Sequence, residues 1–411
     1  MKFEVIKRSH VKRNIIIGII VVLILSAIIL TFTKAKYKIT ESIPLVNGTI
    51  NYELSDFNLI GAYIQEGDNY TQVDEIPTSG YEFNVEKSYC TVNDENINAT
   101  LNYDMETQNL TITPLTTKGT KCYLYFDEKA SGGDYILAGD NPPTNSITDW
   151  TGGTTYYYTG NPNNWVQFAG FWWRIIRING DGTIRMIYQG TSANATGSGT
   201  QIGTSAFNNS IDDNMYVGYM YTSGQVHGLG TSSAIKGILD TWYSETSGLT
   251  AYEEYIDGNA GFCGDRRVTS GTGTETSITY YQPYTRIENN SPSLSCETSD
   301  IYTTSGSSTG NGALDYPIVL ISADEAMFAG MPNRNSSNTN NYLYTGQTYW
   351  TMSPYWYCFG YAGVFVVSSS GGLYTGTVND SYGVRPVINL RADVSLTGTG
   401  TTSDPFKVVG A

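Results

Sequence analysis

Glycine constrains this chain more than any other residue: 44 of its 411 residues are glycine. Glycine inside a helix or strand costs about 0.5–1 kcal/mol relative to alanine. A chain so punctuated must build from short elements joined by many turns. The 33 tyrosines tip those elements toward β, because aromatic side chains suit a pleated, half-buried surface. The expectation is a β-rich, turn-rich protein. At roughly 150 residues per domain, the length predicts two or three domains.

Charge narrows the function. Only 15% of the residues are charged and the net charge is -15, whereas about 25% is usual. An acidic chain poor in Lys and Arg lacks the electrostatic footprint of a nucleic-acid binder. Two histidines leave little from which to assemble a His-based zinc site or triad. The 40% hydrophobic content excludes a disordered chain.

Near the start, Ile15–Phe32 is an apolar run interrupted only by Gly18, Ser26 and Thr31. It is just long enough to span a bilayer as a helix. Lys2, Lys7, Arg8, Lys12 and Arg13 precede it and Lys34, Lys36 and Lys38 follow. The basic excess before the run predicts a cytoplasmic tail at 1–13, a transmembrane signal-anchor at 14–33, and the bulk of the chain outside the cell membrane. The run is longer than a usual signal-peptide core and no A-x-A site follows.

Of the five cysteines, Cys90 and Cys122 lie in one segment, and Cys263 and Cys296 in another. Disulfides Cys90–Cys122 and Cys263–Cys296 are one pairing among several, and they leave Cys358 free. Neither pair has the spacing of a metal or redox motif, so oxidising surroundings are the simpler account.

Residues 39–128 read as a small all-β, sandwich-like stalk domain. Tyr81–Val85, Ala99–Tyr103, Leu110–Pro114 and Lys121–Phe126 are rich in β-branched and aromatic residues. Glu128-Lys-Ala-Ser-Gly-Gly-Asp134 reads as a linker. Residues 135–411 read as one large domain. Phe171–Ile178 and Thr183–Tyr188 flank Asn179-Gly-Asp-Gly182, a β-hairpin signal. Ser232 or Ser233 caps a helix through Ile235, Ile238, Leu239, Trp242 and Tyr243. Ser322-Ala-Asp-Glu325 is a capping box opening a helix to Ala329. The stretches 191–231 and 263–312 are Gly/Ser/Thr/Asn-rich and read as long functional or tethered loops.

The blocks Trp350-Thr-Met-Ser-Pro354, Gly360-Tyr-Ala-Gly-Val-Phe365, Ser369-Ser-Gly371 and Tyr382-Gly-Val-Arg-Pro-Val-Ile388 together resemble the C-type-lectin-like domains of bacterial surface proteins. That family is related to the formylglycine-generating enzymes and to the targets of diversity-generating retroelements. Phe171–Gly182 and Phe262–Arg267 share the likeness. The resemblance implies an α+β domain with two helices, a twisted antiparallel sheet and a loop-rich ligand face. The related enzymes bind copper through a cysteine pair. Here Cys358 stands alone, so the expectation is a non-catalytic protein without a cofactor or metal.

Tyr355-Trp-Tyr-Cys-Phe-Gly-Tyr361 places five aromatics in seven residues. Read as a loop, it has the chemistry of an antibody paratope, with rigid contact area at low entropy cost. Tyr374, Thr377, Asn379, Asp380 and Tyr382 extend it. The expected ligand face is therefore Tyr355, Trp356, Tyr357, Phe359, Tyr361 and these five. No Lys, Arg, Glu, Gln, Met or His occurs from Pro354 to Gly383, as adenine-directed diversification would leave it. Arg385 is expected to pair with an internal carboxylate. His227, Asp212/Asp213 and Glu253/Glu254 carry no nucleophile or glycosidase pattern. The function expected is membrane-anchored, extracellular recognition of a host or bacterial protein or glycan. The alternatives are a structural surface or adhesion component, or a divergent enzyme on the formylglycine-generating fold.

Overall fold

A computed structural model describes residues 57–411, apart from 68, 78–80, 105–108, 114–118, 129–130, 275 and 308–309. The chain divides into two compact units, Met1–Glu128 and Lys129–Ala411.

In the first unit, a five-stranded sheet runs Asn69–Val73, Phe57–Glu66, Thr120–Glu128, Tyr81–Val92, Glu95–Ile97. Phe57–Glu66 and Thr120–Glu128 pair in parallel, the other neighbours antiparallel. Thr100–Asp104 and Asn109–Thr113 form a separate hairpin. Period-two alternation in Thr120–Glu128 sends Cys122, Leu124 and Phe126 inward. They meet Leu101, Tyr103 and Leu110 of the hairpin in one core. The opposite face carries stacked tyrosines, with Tyr63 on Tyr125 at 4.8 Å and Tyr89 on Tyr123 at 4.9 Å between ring centroids. Cross-strand aromatic pairs of this kind stabilise a sheet, which accounts for much of the local tyrosine excess. Cys90 lies directly opposite Cys122 and is bonded to it.

The second unit is built on two large sheets. One centres on the hairpin Phe171–Ile178/Ile184–Gly190, flanked by Trp165–Phe168 and Val387–Leu390. Its strands are buried on both faces, down to Arg177 and Arg185. Asp181 Oδ1 accepts the Thr183 amide and hydroxyl, closing the turn. The other sheet centres on Tyr349–Cys358, with Tyr361–Val367, Thr279–Tyr281 and Tyr382–Val384 beside it. Ser233 caps the helix Ala234–Thr241 through the Lys236 amide. The capping box at Ser322/Glu325 opens Ala323–Phe328.

Three expectations are corrected here. The described residues are mostly β, 38% strand against 15% helix. The expected α+β, C-type-lectin-like architecture with two helices is therefore not what forms. Among the described residues four short α-helices serve as connectors, and the Gly/Ser/Thr/Asn-rich stretches are irregular chain interrupted by brief strand pairs. The single-pass anchor and its cell-membrane localisation also fail to find support. Among the described residues no helix is long and apolar enough to cross a membrane. The longest α-helix among the described residues, Ala234–Thr241 with 8 residues, rises about 12 Å, whereas a bilayer core needs about 30 Å. The run at 14–33 and the tail at 1–13 lie outside the described residues.

The expected linker is instead the start of a helix. Ser131 caps Gly132–Ala138, and both glycines are buried. A Cβ on Gly132 would lie 2.9 Å from Val394 Cγ2 and from the Val394 carbonyl oxygen. These glycines permit close packing rather than flexibility. Gly132→Ala is expected to destabilise the second unit by about 1–3 kcal/mol through overpacking, despite alanine's better helix propensity. A urea titration checks it; an unchanged midpoint would show that the Val394 segment yields freely.

Candidate functional site

The segment Tyr355–Tyr361 is not a loop. Tyr349–Cys358 runs straight into a two-residue turn and returns as Tyr361–Val367, with Cys358 opposite Tyr361. The central residues, Phe359 and Gly360, have φ of 53° and 83°. Positive φ at both positions is what a type I′ hairpin turn demands, and Asn-Gly is its usual solution. Here a phenylalanine holds the first position, at a cost of about 1–2 kcal/mol for an L-residue in left-handed conformation. Phe359 is 85% exposed, more than any other large hydrophobic residue among those described. No burial among the described residues offsets the backbone cost.

The strand then sorts the expected ligand residues by face. Tyr355 and Tyr357 are core residues, which corrects their assignment to a ligand surface. The Tyr355 ring packs 4.7 Å from Phe365 and 4.9 Å from Tyr284. Its hydroxyl accepts from Arg334 at 3.2 Å, and burial pushes its pKa up. The Tyr357 hydroxyl donates to the Asp212 carbonyl at 2.8 Å. Trp356 points the other way and stays half-buried, opposite Tyr280 and Gly363. A Cβ at Gly363 would sit 3.5 Å from the indole, in ordinary contact, and 3.0 Å from Thr375 Oγ1.

At the tip, Phe359 is joined by Tyr361, 50% exposed. Ile278, 51% exposed, precedes the Thr279–Tyr357 pair and so lies beside Cys358. Nothing in the sequence singled out Ile278, because one isoleucine in a Ser/Thr-rich stretch carries no periodic signal. The Ala362 amide donates to the Ile211 carbonyl, and its carbonyl accepts from Val378. Those contacts bring exposed Asp212 and Asn379 alongside Tyr361. Tyr374 is further along, its hydroxyl donating to the Arg334 carbonyl. Asp380 accepts from the Thr377 amide and the Tyr382 hydroxyl, so these three close a turn. The Tyr382 ring also packs 5.0 Å from Trp350. The exposed residues brought together are thus Phe359, Tyr361, Ile278 and the edge of Trp356, with Asp212 and Asn379 beside them.

The remaining candidates are structural. Arg385 is fully buried, but it donates to the carbonyls of Tyr188 and Leu343 and to Gln189, not to a carboxylate. Its guanidinium lies 4.7 Å from the Tyr349 ring centroid. His227 Nε2 is 3.0 Å from Asp300 Oδ1. From Asp300 the ion pairs continue through Arg267, Asp265 and Arg286 to Asp324. The Arg286–Asp324 pair ties the 263–302 segment to the body, and the Cys263–Cys296 disulfide closes that segment on itself. Replacing both cysteines by serine is expected to lower stability by about 2–4 kcal/mol. Matched urea titrations of the oxidised protein and the double variant check it; equal midpoints would show that the ion pairs suffice. Asp213 caps a short helix through the Met215 amide, and Glu253 and Glu254 are exposed neighbours. Cys358 is free and half-buried. Among the described residues no group of three or more His, Cys, Asp or Glu side chains is placed to hold a metal ion.

No known protein family, curated protein or solved structure matches this chain.

Proposed function

We propose that the chain is a non-catalytic recognition protein whose second unit binds a protein partner through the 358–361 hairpin tip. The observation that carries this reading is Phe359: left-handed, almost fully exposed, and compensated by no burial among the described residues. A strained residue is retained where its strain serves a role. An aromatic knob flanked by Tyr361 and Ile278 has the composition of a binding hot spot. Exposed Asp212 beside it and the net charge of -15 favour a partner whose apolar pocket is rimmed by Lys and Arg. Protein is favoured over glycan here because a projecting ring fills a pocket, whereas a sugar needs a platform with hydrogen-bonding groups around it.

The test places photoreactive p-benzoylphenylalanine at position 359 and, as control, at Val409, which is 54% exposed. A protein adduct formed from 359 and absent from 409 is the expected result. Adducts common to both positions would sink the proposal. Adducts from 359 to a second copy of this chain alone would replace it with the structural-component reading.

A further inference from the structure

A cleft of about 480 Å³ lies in the second unit, built from elements other than the hairpin tip. That volume is within the usual range for small-molecule sites. Trp150 is its aromatic wall. On one side, the turns at Thr151 and Asp181 meet backbone to backbone: a Cβ on Gly153 would lie 2.4 Å from the Gly180 carbonyl oxygen. Asp149 fastens the two turns by accepting from the Gly180 amide at 2.9 Å. On the other side, the Gly258 carbonyl accepts from the Thr304 amide at 2.9 Å, and Ser305 donates to Asn259 Oδ1 at 2.7 Å. Both walls are locked before any ligand arrives, which lowers the entropy cost of binding.

We propose that this cleft binds a neutral carbohydrate, a short oligosaccharide with its ring stacked on Trp150. The lining contains no Lys, Arg or His among the described residues, and Asp181 is its one charge. Anionic ligands are thereby disfavoured. Cationic ones are disfavoured by the protein beneath the indole. The buried Arg177 and Arg185 guanidiniums lie 4.9 and 5.9 Å from the Trp150 ring centroid. They already occupy the cation-binding capacity of the ring and repel a second cation. What remains is an apolar ring surface bordered by hydrogen-bonding groups, of which Asp181 alone is charged. Asp181 engages Thr183 through Oδ1, and Asn259 engages Ser305 through its own Oδ1. Asp181 Oδ2 and Asn259 Nδ2 have no partner among the described residues, which provides one acceptor and one donor. Thr298 adds a hydroxyl that serves as either. Stacking area with alternating donors and acceptors matches the two faces of a pyranose.

The experiment probes the full chain on an array of neutral oligosaccharides and of sialylated and sulfated ones, followed by calorimetry with the neutral hits. Binding confined to neutral glycans is expected. Trp150→Ala and Asn259→Ala should each weaken it at least tenfold. Trp150 also packs on the buried arginines, so Asn259→Ala and Asp181→Asn, both at exposed positions, serve as variants that keep the fold, with melting curves as the check. The proposal is overturned if no neutral glycan binds, if anionic glycans bind as well, or if folded Asn259→Ala and Asp181→Asn bind as the parent does. The hairpin-tip proposal is untouched by any of these outcomes, since its partner and residues differ.

Discussion

Phe359→Gly is expected to make the protein more stable and unable to hold its partner. Glycine adopts the left-handed turn conformation freely, removing a cost of about 1–2 kcal/mol. The unfolded chain regains about 0.5–1 kcal/mol of entropy in return. With the residue 85% exposed, almost no burial is lost. The net gain expected is about 0.5–1 kcal/mol, read from the urea midpoint. Loss of a central aromatic anchor typically costs 2 kcal/mol or more in binding, about a thirtyfold weakening or greater. Affinity for the protein recovered by cross-linking from position 359 measures it. A lower midpoint would mean that the ring packs on its own chain, and an unchanged affinity would remove the hairpin tip from the interface. The opposite signs of the two effects separate a binding residue from a structural one, which alanine replacement of Tyr355 and Tyr357 would confound because both are core.

The second large effect belongs to Glu325. It lies at the start of a helix that the capping box anchors, and its Oε1 meets Arg177 Nε at 3.0 Å and Arg185 Nη1 at 2.6 Å, all three side chains buried. Burial on its own would raise the carboxyl pKa. Arg185 and Arg177, with the Ser322 amide, outweigh burial and hold it at about 2, below its ordinary 4.5. Glu325→Ala leaves two buried guanidiniums without their shared anion and is expected to cost about 3–5 kcal/mol. The pH dependence has a definite sign. Between pH 4.5 and about 2 the unfolded chain binds the proton and the folded one does not, so stability falls as acid is added through that window. The pKa gap corresponds to about 3 kcal/mol. Asp149 and Asp265, also held low, act in the same direction, whereas Asp240 and Asp300, pushed up by burial, oppose it. Melting temperatures from pH 6 to 2.5 test this. Glu325→Gln should melt lower at neutral pH and flatten the acid limb, and an equally steep limb in that variant would place the acid sensitivity elsewhere.

Local features were readable from the residues. The hairpin around Asn179-Gly-Asp-Gly182, the Ser233 cap and the Ser322/Glu325 capping box each depend on groups within a few positions of one another. Period two in Cys122-Tyr-Leu-Tyr-Phe126 was equally plain, since one strand sets it. The same rule governs Tyr349–Cys358, but the aromatic density of Tyr355–Tyr361 reads as a loop when the partner strands are unknown. Once Thr279–Tyr281 and Tyr361–Val367 are in place, alternation sends Tyr355 and Tyr357 inward and leaves the tip to Phe359.

Short-range hydrogen bonds and side-chain period thus determined the 179–182 turn, the helix caps and the faces of the 120–128 strand from the sequence by itself. Tertiary structure alone decided that Gly132 and Gly133 pack a helix rather than loosen a linker, that Arg385 meets carbonyls rather than a carboxylate, and that Trp150, Asp181 and Asn259 border one cleft. Each of these rests on neighbours distant in the chain, Val394 for Gly132, Tyr188 for Arg385 and Asn259 for Trp150. Contacts of that separation are set by how two sheets pack, and no local propensity encodes them.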